Sequence, residues 1–309
     1  MIVSLTVNPA VDQTVWVEQL QPGTVLRVNK TLLDPAGKGI NVSRMAHRLG
    51  QPTIAFGFLA GETGRIVERA LQSEGVQHEF VGVAGQTRVN VTIVDGQGVA
   101  TSLLGAGPTV TPEALSMLVG MIRVWLQGGG LLVVAGTIAP GIPEDSYRGI
   151  IESAHRFKVK VILDTHGAPL RHGVAAGPDM VKPNLAEAEE LLGRKLPDLS
   201  AVVAGAKEIA GRGVGIVVIS MGAKGAICFE GGRVWHAVPP KVDAQGTVGS
   251  GDSMVAGLAV ALARGEPIEE GLRLGTAAGA ATAISEGTAL GTAAGVAAQK
   301  RGVRLERLE

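Results

Sequence analysis

Cysteine is nearly missing from this chain: Cys228 is the single one among 309 residues. No internal disulfide framework is available, and no cysteine-based zinc cluster. Aromatic residues stand at 3%, so side chains that stack on nucleic-acid bases are few. Neither sign of charge is in excess, because 28 basic residues balance 28 acidic ones. A broad positive footprint for a phosphate backbone is absent, and no nucleic-acid partner is expected. Apolar runs are short; none reaches the roughly 18–20 residues that a membrane helix needs. The opening stretch, MIVSLTVNPA, has no charged n-region, and Asp12 soon interrupts it, so no signal peptide is read there. A cytoplasmic protein without membrane contact is the expectation.

What is present is aliphatic. Hydrophobic residues make up 46% and charged residues 18%, with 45 glycines, a globular composition and not a disordered one. The core must be built from Val, Leu, Ile and Ala, which suits parallel strands covered on both faces. Apolar runs at Ile2–Val7, Thr53–Phe58, Leu131–Ala135, Val159–Leu163, Met180–Val181 and Ile216–Ile219 read as buried strands. Helical patterns at 40–49, 65–73, 112–126 and 143–157 lie between them. This alternation predicts a mostly parallel sheet with helices on both faces. Thr14–Val17 and Val25–Leu33 alternate as paired strands, and Asp95-Gly96-Gln97-Gly98 joins Thr87–Val94 to Val99–Leu104 as a hairpin. These four segments are expected to form a small sheet outside the main body. The tail from Gly251 reads as nearly all helix, and Cys228 as a buried small hydrophobe.

Five segments carry possible chemistry. In Thr247-Val248-Gly249-Ser250-Gly251-Asp252, two glycines straddle a small residue just before an apolar helix. Main-chain N–H groups gathered at a helix start suit a phosphate, and a carboxylate beside them can take a proton from a hydroxyl. On spacing alone, capping the helix is the commoner use of such an aspartate. In Pro35-Ala36-Gly37-Lys38-Gly39-Ile40-Asn41, the glycines admit a ligand to the backbone, Lys38 can meet phosphate and Asn41 can bond hydroxyls; an ordinary turn explains it as well. Asp12 follows the first strand and suits sugar hydroxyls or a surface turn. Arg88 and Asn90 share one strand face, fit for a phosphate and a hydroxyl or for solvent. Asn184 and Glu187, three apart at a helix start, can organise hydrated magnesium or form a capping box. The G-x-x-x-x-G-K-[ST], D-F-G, H-R-D and G-x-G-x-x-G signatures are all missing. Ser253 has no evident His partner, and none of the six histidines has a second His beside it.

Taken jointly and in order, these segments resemble the ribokinase-like carbohydrate kinases of the phosphofructokinase-B family. Ser220-Met221-Gly222-Ala223-Lys224-Gly225 is similar to that family's ATP-binding turn. The resemblance implies a three-layer α/β/α sandwich with a mostly parallel central sheet and a small β lid. Residues 12–33 and 87–104 would form the lid, and 1–11, 34–86 and 105–309 the main domain. It implies ATP and Mg2+, with Asp252 as base and Gly249, Ser250 and Gly251 as the anion hole. Asp12, Gly37, Lys38, Gly39, Asn41, Arg88, Asn90 and Thr137 would bind the phosphosugar. Lys182, Asn184, Ser220, Gly222, Gly225 and Thr247 would hold the nucleotide, and Asn184 and Glu187 the metal. Relatives often pair two lids, which implies a homodimer. Ala36–Val42, Thr87–Val91 and Gly193–Pro197 are most similar to the fructose 1-phosphate kinases of the family, with tagatose 6-phosphate and fructose 6-phosphate kinases sharing most features. Two departures stand out: Ala135 and Ala139 where Ser and Pro are usual, and Ser250 where Ala is usual. A non-catalytic sugar or nucleotide sensor on the same scaffold is the rival of a different class. Within the enzyme class the rival is a nucleoside kinase.

Overall fold

Short aliphatic runs bounded by glycine, proline or asparagine become strands, and the 3.6-residue patterns between them become helices. The structure, a computed structural model, describes all 309 residues. The chain begins β1 (Ile2–Thr6), β2 (Ala10–Trp16), β3 (Lys30–Ala36), α1 (Lys38–Arg48), β4 (Thr53–Leu59), α2 (Gly61–Ser73) and β5 (Gln77–Gly82). A hairpin of β6 (Arg88–Val94) and β7 (Ala100–Leu103) leads to α3 (Pro112–Leu126), β8 (Leu131–Ala135), α4 (Ser146–Arg156), β9 (Lys160–Asp164) and α5 (Gly167–Val174). Next come β10 (Met180–Val181), α6 (Leu185–Leu192), α7 (Leu199–Ala210), β11 (Ile216–Ser220), β12 (Ala226–Glu230) and β13 (Arg233–Val238). The last elements are α8 (Ser250–Arg264), α9 (Ile268–Ala283), α10 (Ala293–Lys300) and β14 (Arg304–Arg307).

The large sheet runs β14-β13-β12-β11-β10-β9-β8-β1-β4-β5. From β11 to β5 all neighbours are parallel, and β12 to β14 add an antiparallel edge. Alternation along the strands feeds two cores. Val3, Leu5, Leu132 and Val134 meet Leu118, Ile151 and Val202 on one face. Ile2, Leu131, Val133 and Ala135 meet Met45, Val255 and Leu258 on the other. The result is the expected three-layer sandwich. A separate four-stranded sheet, β3-β2-β6-β7, stands beside it. No helix is long and apolar enough to cross a membrane.

On the second face, α8 and α9 approach at backbone distance. A Cβ on Gly257 would lie 2.4 Å from the Gly275 nitrogen. The facing glycines of α8 and α9 therefore serve tight helix packing.

Two expectations about elements are corrected. The second strand of the small sheet starts at Lys30 and not at Val25, because pairing with β2 stops at Trp16↔Lys30. Beyond that point Val25 has no partner and is 98% exposed. The apolar stretch around Cys228, to which no element was assigned from sequence, is a hairpin strand: Gly231 and Gly232, both at positive φ, turn β12 back as β13. Finally, the tail is not all helix, since β14 pairs with β13. Cys228 is fully buried, as expected.

Candidate active site

The carboxyl ends of β1, β8, β9, β10 and β11 converge on the starts of α1 and α8, where ligands of parallel sheets bind. Gly249 takes a left-handed conformation, φ 77°, immediately before α8 and opens the turn. The N–H groups of Gly251 and Asp252 have no hydrogen-bond partner in the chain and lie at the positive end of α8. Gly251 has no side chain to obstruct them. A Cβ there would lie 3.5 Å from Lys182 Nζ, so a buried ammonium borders the same turn.

Asp252 does not cap its helix, for no side-chain cap bond is made at this N-terminus. Its Oδ2 instead accepts from Asn41 Nδ2 at 2.8 Å. Burial pushes its pKa up to about 6, and the charge of Asp164 adds to that. Lys38, Asn41 and Lys182 oppose it. A carboxylate poised there holds a proton easily and releases it near neutrality.

Asp164, at the end of β9, is 1% exposed and carries two ammonium groups on one oxygen. Lys38 Nζ donates to Oδ1 at 2.9 Å, and Lys182 Nζ lies 3.6 Å away. Oδ2 is buried without a partner. Burial alone would raise the pKa of Asp164, but the two lysines outweigh it and hold the carboxyl below the usual range. Lys38 also lies 3.7 Å from Glu187 Oε1. Its pKa is raised: burial works against the charge, but Asp164, Glu187 and Asp252 together prevail.

Asn184 and Glu187 form a reciprocal capping box at α6. Asn184 Oδ1 accepts from Glu187 N–H at 2.9 Å, and Glu187 Oε2 from Asn184 N–H at 2.8 Å. Glu187 Oε1 is left facing Lys38. Ser220 bridges to Asn184, and its N–H donates to Pro183 O at 3.1 Å. Gly222 and Gly225 bracket the 3-10 turn that follows. Thr247 accepts from Ser250 N–H at 3.3 Å within the anion turn.

In the small sheet, Asp12 Oδ1 accepts from Asn90 Nδ2 at 2.8 Å, the two being register partners on β2 and β6. Burial raises the pKa of Asp12 against the opposing effects of Asn90 and Arg88, with Asp34 adding to the rise. Arg88 donates to Asn8 O at 3.0 Å and Gly105 O at 3.2 Å, while its Nε is buried without a partner. Gly39 brings α1 onto β1: a Cβ there would lie 2.7 Å from Leu5 O. Gly37 precedes α1 as its N-cap. Thr137 accepts from Asn8 Nδ2 at 3.4 Å. It lines a cavity of about 510 Å³ with Ala106, Ile138, Pro140, Glu144 and His166.

Residues 2–294 match the model of the pfkB family carbohydrate kinases. The chain belongs to that family. The 1-phosphofructokinase of Bacillus subtilis is 35% identical over 283 residues, covering 92% of each chain. That of Xanthomonas campestris is 36% identical over 281 residues, covering 89% of this chain and 88% of its own. The crystal structure of Escherichia coli phosphofructokinase-2 in complex with potassium superposes with a TM-score of 0.92 at 30% identity, covering 97% of this chain and 98% of that one.

Seen as a pfkB kinase, the chain brings most of the sequence-predicted residues into three groups. Asp252, Asn41 and the 249–251 turn form one. Lys38, Lys182 and Glu187 form a second around Asp164, and Asp12, Asn90 and Arg88 a third. Sequence reasoning passed over Asp164 and Asn8. An acid closing a buried parallel strand, as in Lys160–Asp164, was the signal for the first; the second had none beyond its place after β1. Ser250, where alanine is usual, buries its Oγ without a partner. Ala135 is buried in the core below the site.

Proposed function

We propose that this pfkB kinase moves the γ-phosphoryl group of ATP onto the C6 hydroxyl of fructose 1-phosphate, giving ADP and fructose 1,6-bisphosphate. The observation that carries the chemistry is Asp252: a buried carboxylate with its pKa raised to about 6, beside the free N–H groups of Gly251 and Asp252. The acceptor oxygen attacks the γ-phosphorus, the bond to the β-bridging oxygen breaks, and the hydroxyl proton passes to Asp252. The main-chain donors of the 249–252 turn stabilise the charge on the moving group.

Lys38 and Lys182 flank this path, since both meet Asp164 and both act on Asp252. We assign Lys182 to the nucleotide and Lys38, expected from sequence to bind the phosphosugar, to the transferred phosphoryl group because its Nζ is held by Asp164 and its charge acts on Asp252, with Asn184, Ser220, Gly222, Gly225 and Thr247 on the nucleotide side. Asp12, Asn41, Asn90, Gly37, Gly39 and Thr137 belong to the sugar, and Arg88 to its phosphate. Magnesium fits the oxygen donors present. Glu187 Oε1 is free of the cap and Asp164 Oδ2 is unpartnered, but no cluster of three such side chains exists. The ion would therefore rest on Glu187, Asp164 and phosphate oxygens, with Asn184 reaching it through water, and would neutralise phosphate charge.

The substrate follows from the relatives named 1-phosphofructokinase. A coupled assay should give fructose 1-phosphate a kcat/KM at least about 10²-fold above unphosphorylated fructose, and above fructose 6-phosphate and tagatose 6-phosphate. Preference for either 6-phosphate would overturn the substrate. Absence of ATP turnover with every sugar would overturn the reaction and leave a sensor.

The small sheet is proposed as the lid over the sugar, excluding the water that competes as acceptor. It exposes Leu33, Val99, Leu103 and Leu104, and apolar sheet surface of this kind needs cover. A second copy of the chain is the proposed cover, so light scattering at micromolar concentration should give a dimer. A monomer alone would reject this.

A further inference from the structure

The loop 284–291, between α9 and α10, touches both halves of the site. Toward the small sheet, Thr288 Oγ1 donates to Asp34 Oδ2 at 2.9 Å, and Thr288 is only 6% exposed. Lys30 and Glu286 add a solvent-exposed ion pair at 2.6 Å, which contributes little alone. Gly287, φ 65°, lies flat against the sheet. A Cβ on it would meet Leu32 Cδ1 at 3.4 Å, Thr14 Oγ1 at 3.6 Å and Trp16 at 3.7 Å. Thr14 Oγ1 is itself buried with no partner.

Toward the nucleotide side the same loop meets the segment that leads into the anion turn. Gln245 N–H and Gly246 N–H donate to Ala283 O at 2.8 and 3.2 Å. The Gly287 carbonyl would lie 3.1 Å from a Cβ on Gly246, and Leu290 Cδ2 3.0 Å from a Cβ on Gly249. Thr282 Oγ1 accepts from Gly291 N–H at 3.0 Å and pairs with Ser253 Oγ at 2.7 Å. Arg48 anchors the loop to α1 through Leu290 O at 2.7 Å and Gly291 O at 3.1 Å. The loop is thus held on four sides, and one face of Gly287 serves each half of the site.

Asp34 occupies a telling register position, directly opposite Asp12 across β2 and β3. Like charges so placed repel. Asn90 donates to one and Thr288 to the other, so the placement of the Asp12 carboxylate depends on Asp34 being held by the loop.

Resting on the fructose 1-phosphate reading, we propose that loop 284–291 links the sugar sheet to the anion turn, with Thr288 as its positioning residue. Sugar phosphate bound at Asp12 tightens the nucleotide site through Asp34, Thr288 and the loop. Contiguity alone is not coupling, so the test measures coupling. Binding of a non-hydrolysable ATP analogue is titrated by calorimetry with and without fructose 1-phosphate, using the full chain. In the wild type, the sugar phosphate should tighten the analogue roughly 10-fold, and by linkage the analogue should tighten the sugar phosphate equally. Thr288→Val keeps the volume and removes the donor. It should bring both factors to within about 2-fold of unity while the analogue alone binds as before. Thr288→Ser should restore them. Asp34→Ala, which removes the acceptor of the Thr288 hydrogen bond, should repeat the loss and stands in if the valine variant misfolds. Wild-type coupling surviving in Thr288→Val, absence of coupling in the wild type, or equal weakening of the analogue alone would each overturn the linkage. A wild type that binds the analogue but not fructose 1-phosphate would instead overturn the substrate reading.

Discussion

Replacing Asp252 by asparagine should lower kcat by about 10²–10⁴-fold and leave ATP binding within a few-fold, because the side chain keeps its size and its place beside Asn41. Single-turnover measurement with a binding assay separates the two. A variant retaining most of its turnover would remove the base from the mechanism. The wild-type rate should rise with pH through about 6, the pKa of this carboxyl. Stability should move the other way. The folded state holds a proton on Asp252 up to about pH 6, while the unfolded chain releases it near the ordinary value of 3.8. Stability from this group is present below that lower value. It is lost as pH rises between the two, and is absent above about 6. The difference is of order 3 kcal/mol at most. Asp252→Asn should therefore be more stable than the wild type at pH 8 and nearly equal to it at pH 4, as urea titrations at the two pH values would show. The reacting group is kept at a cost in folding free energy.

The second large effect should come from Asp164→Ala. Lys182, 3% exposed, would lose its main counter-charge, and Lys38 its hydrogen bond. Removing one member of a buried ion cluster typically costs about 3–5 kcal/mol. The thermal midpoint should fall by roughly 5–8 °C, and the urea midpoint should fall with little change in slope. Asp252 should respond as well. The negative charge that helps raise its pKa would be gone, so the acidic limb of the pH–rate profile should move to lower pH. A loss of stability with an unmoved limb would remove Asp164 from the tuning of Asp252.

Much of this arrangement was legible before any coordinates. Leu131–Ala135 and Ile216–Ile219 had the length and composition of buried parallel strands, and Gly249-Ser250-Gly251-Asp252 had the turn and the acid in one segment. The tie between Asn41 and Asp252 was not legible, because it joins residues 211 positions apart. Asp164 was hidden for a related reason. A carboxylate ending a strand gains meaning only when two lysines from other elements close on it. β12 to β14 were missed because they are short, with β12 and β13 buried on both faces so that no alternation marks them, and β14 an exposed edge strand of four residues. Val25–Leu33 misled because β-branched residues favour strands only where a neighbour exists to pair with them.

The contact between α8 and α9 bears on attempts to rigidify the protein. Replacing helical glycines by alanine is a standard route to thermal tolerance, since it removes freedom from the unfolded chain. At Gly257 and Gly275 that route is closed, because a methyl group at either would meet main-chain atoms of the facing helix at 2.4–2.7 Å. Spreading those helices would tilt the start of α8, and with it the carboxylate and donors on which turnover depends. Engineering for heat resistance belongs on exposed loops such as 18–29, far from this seam.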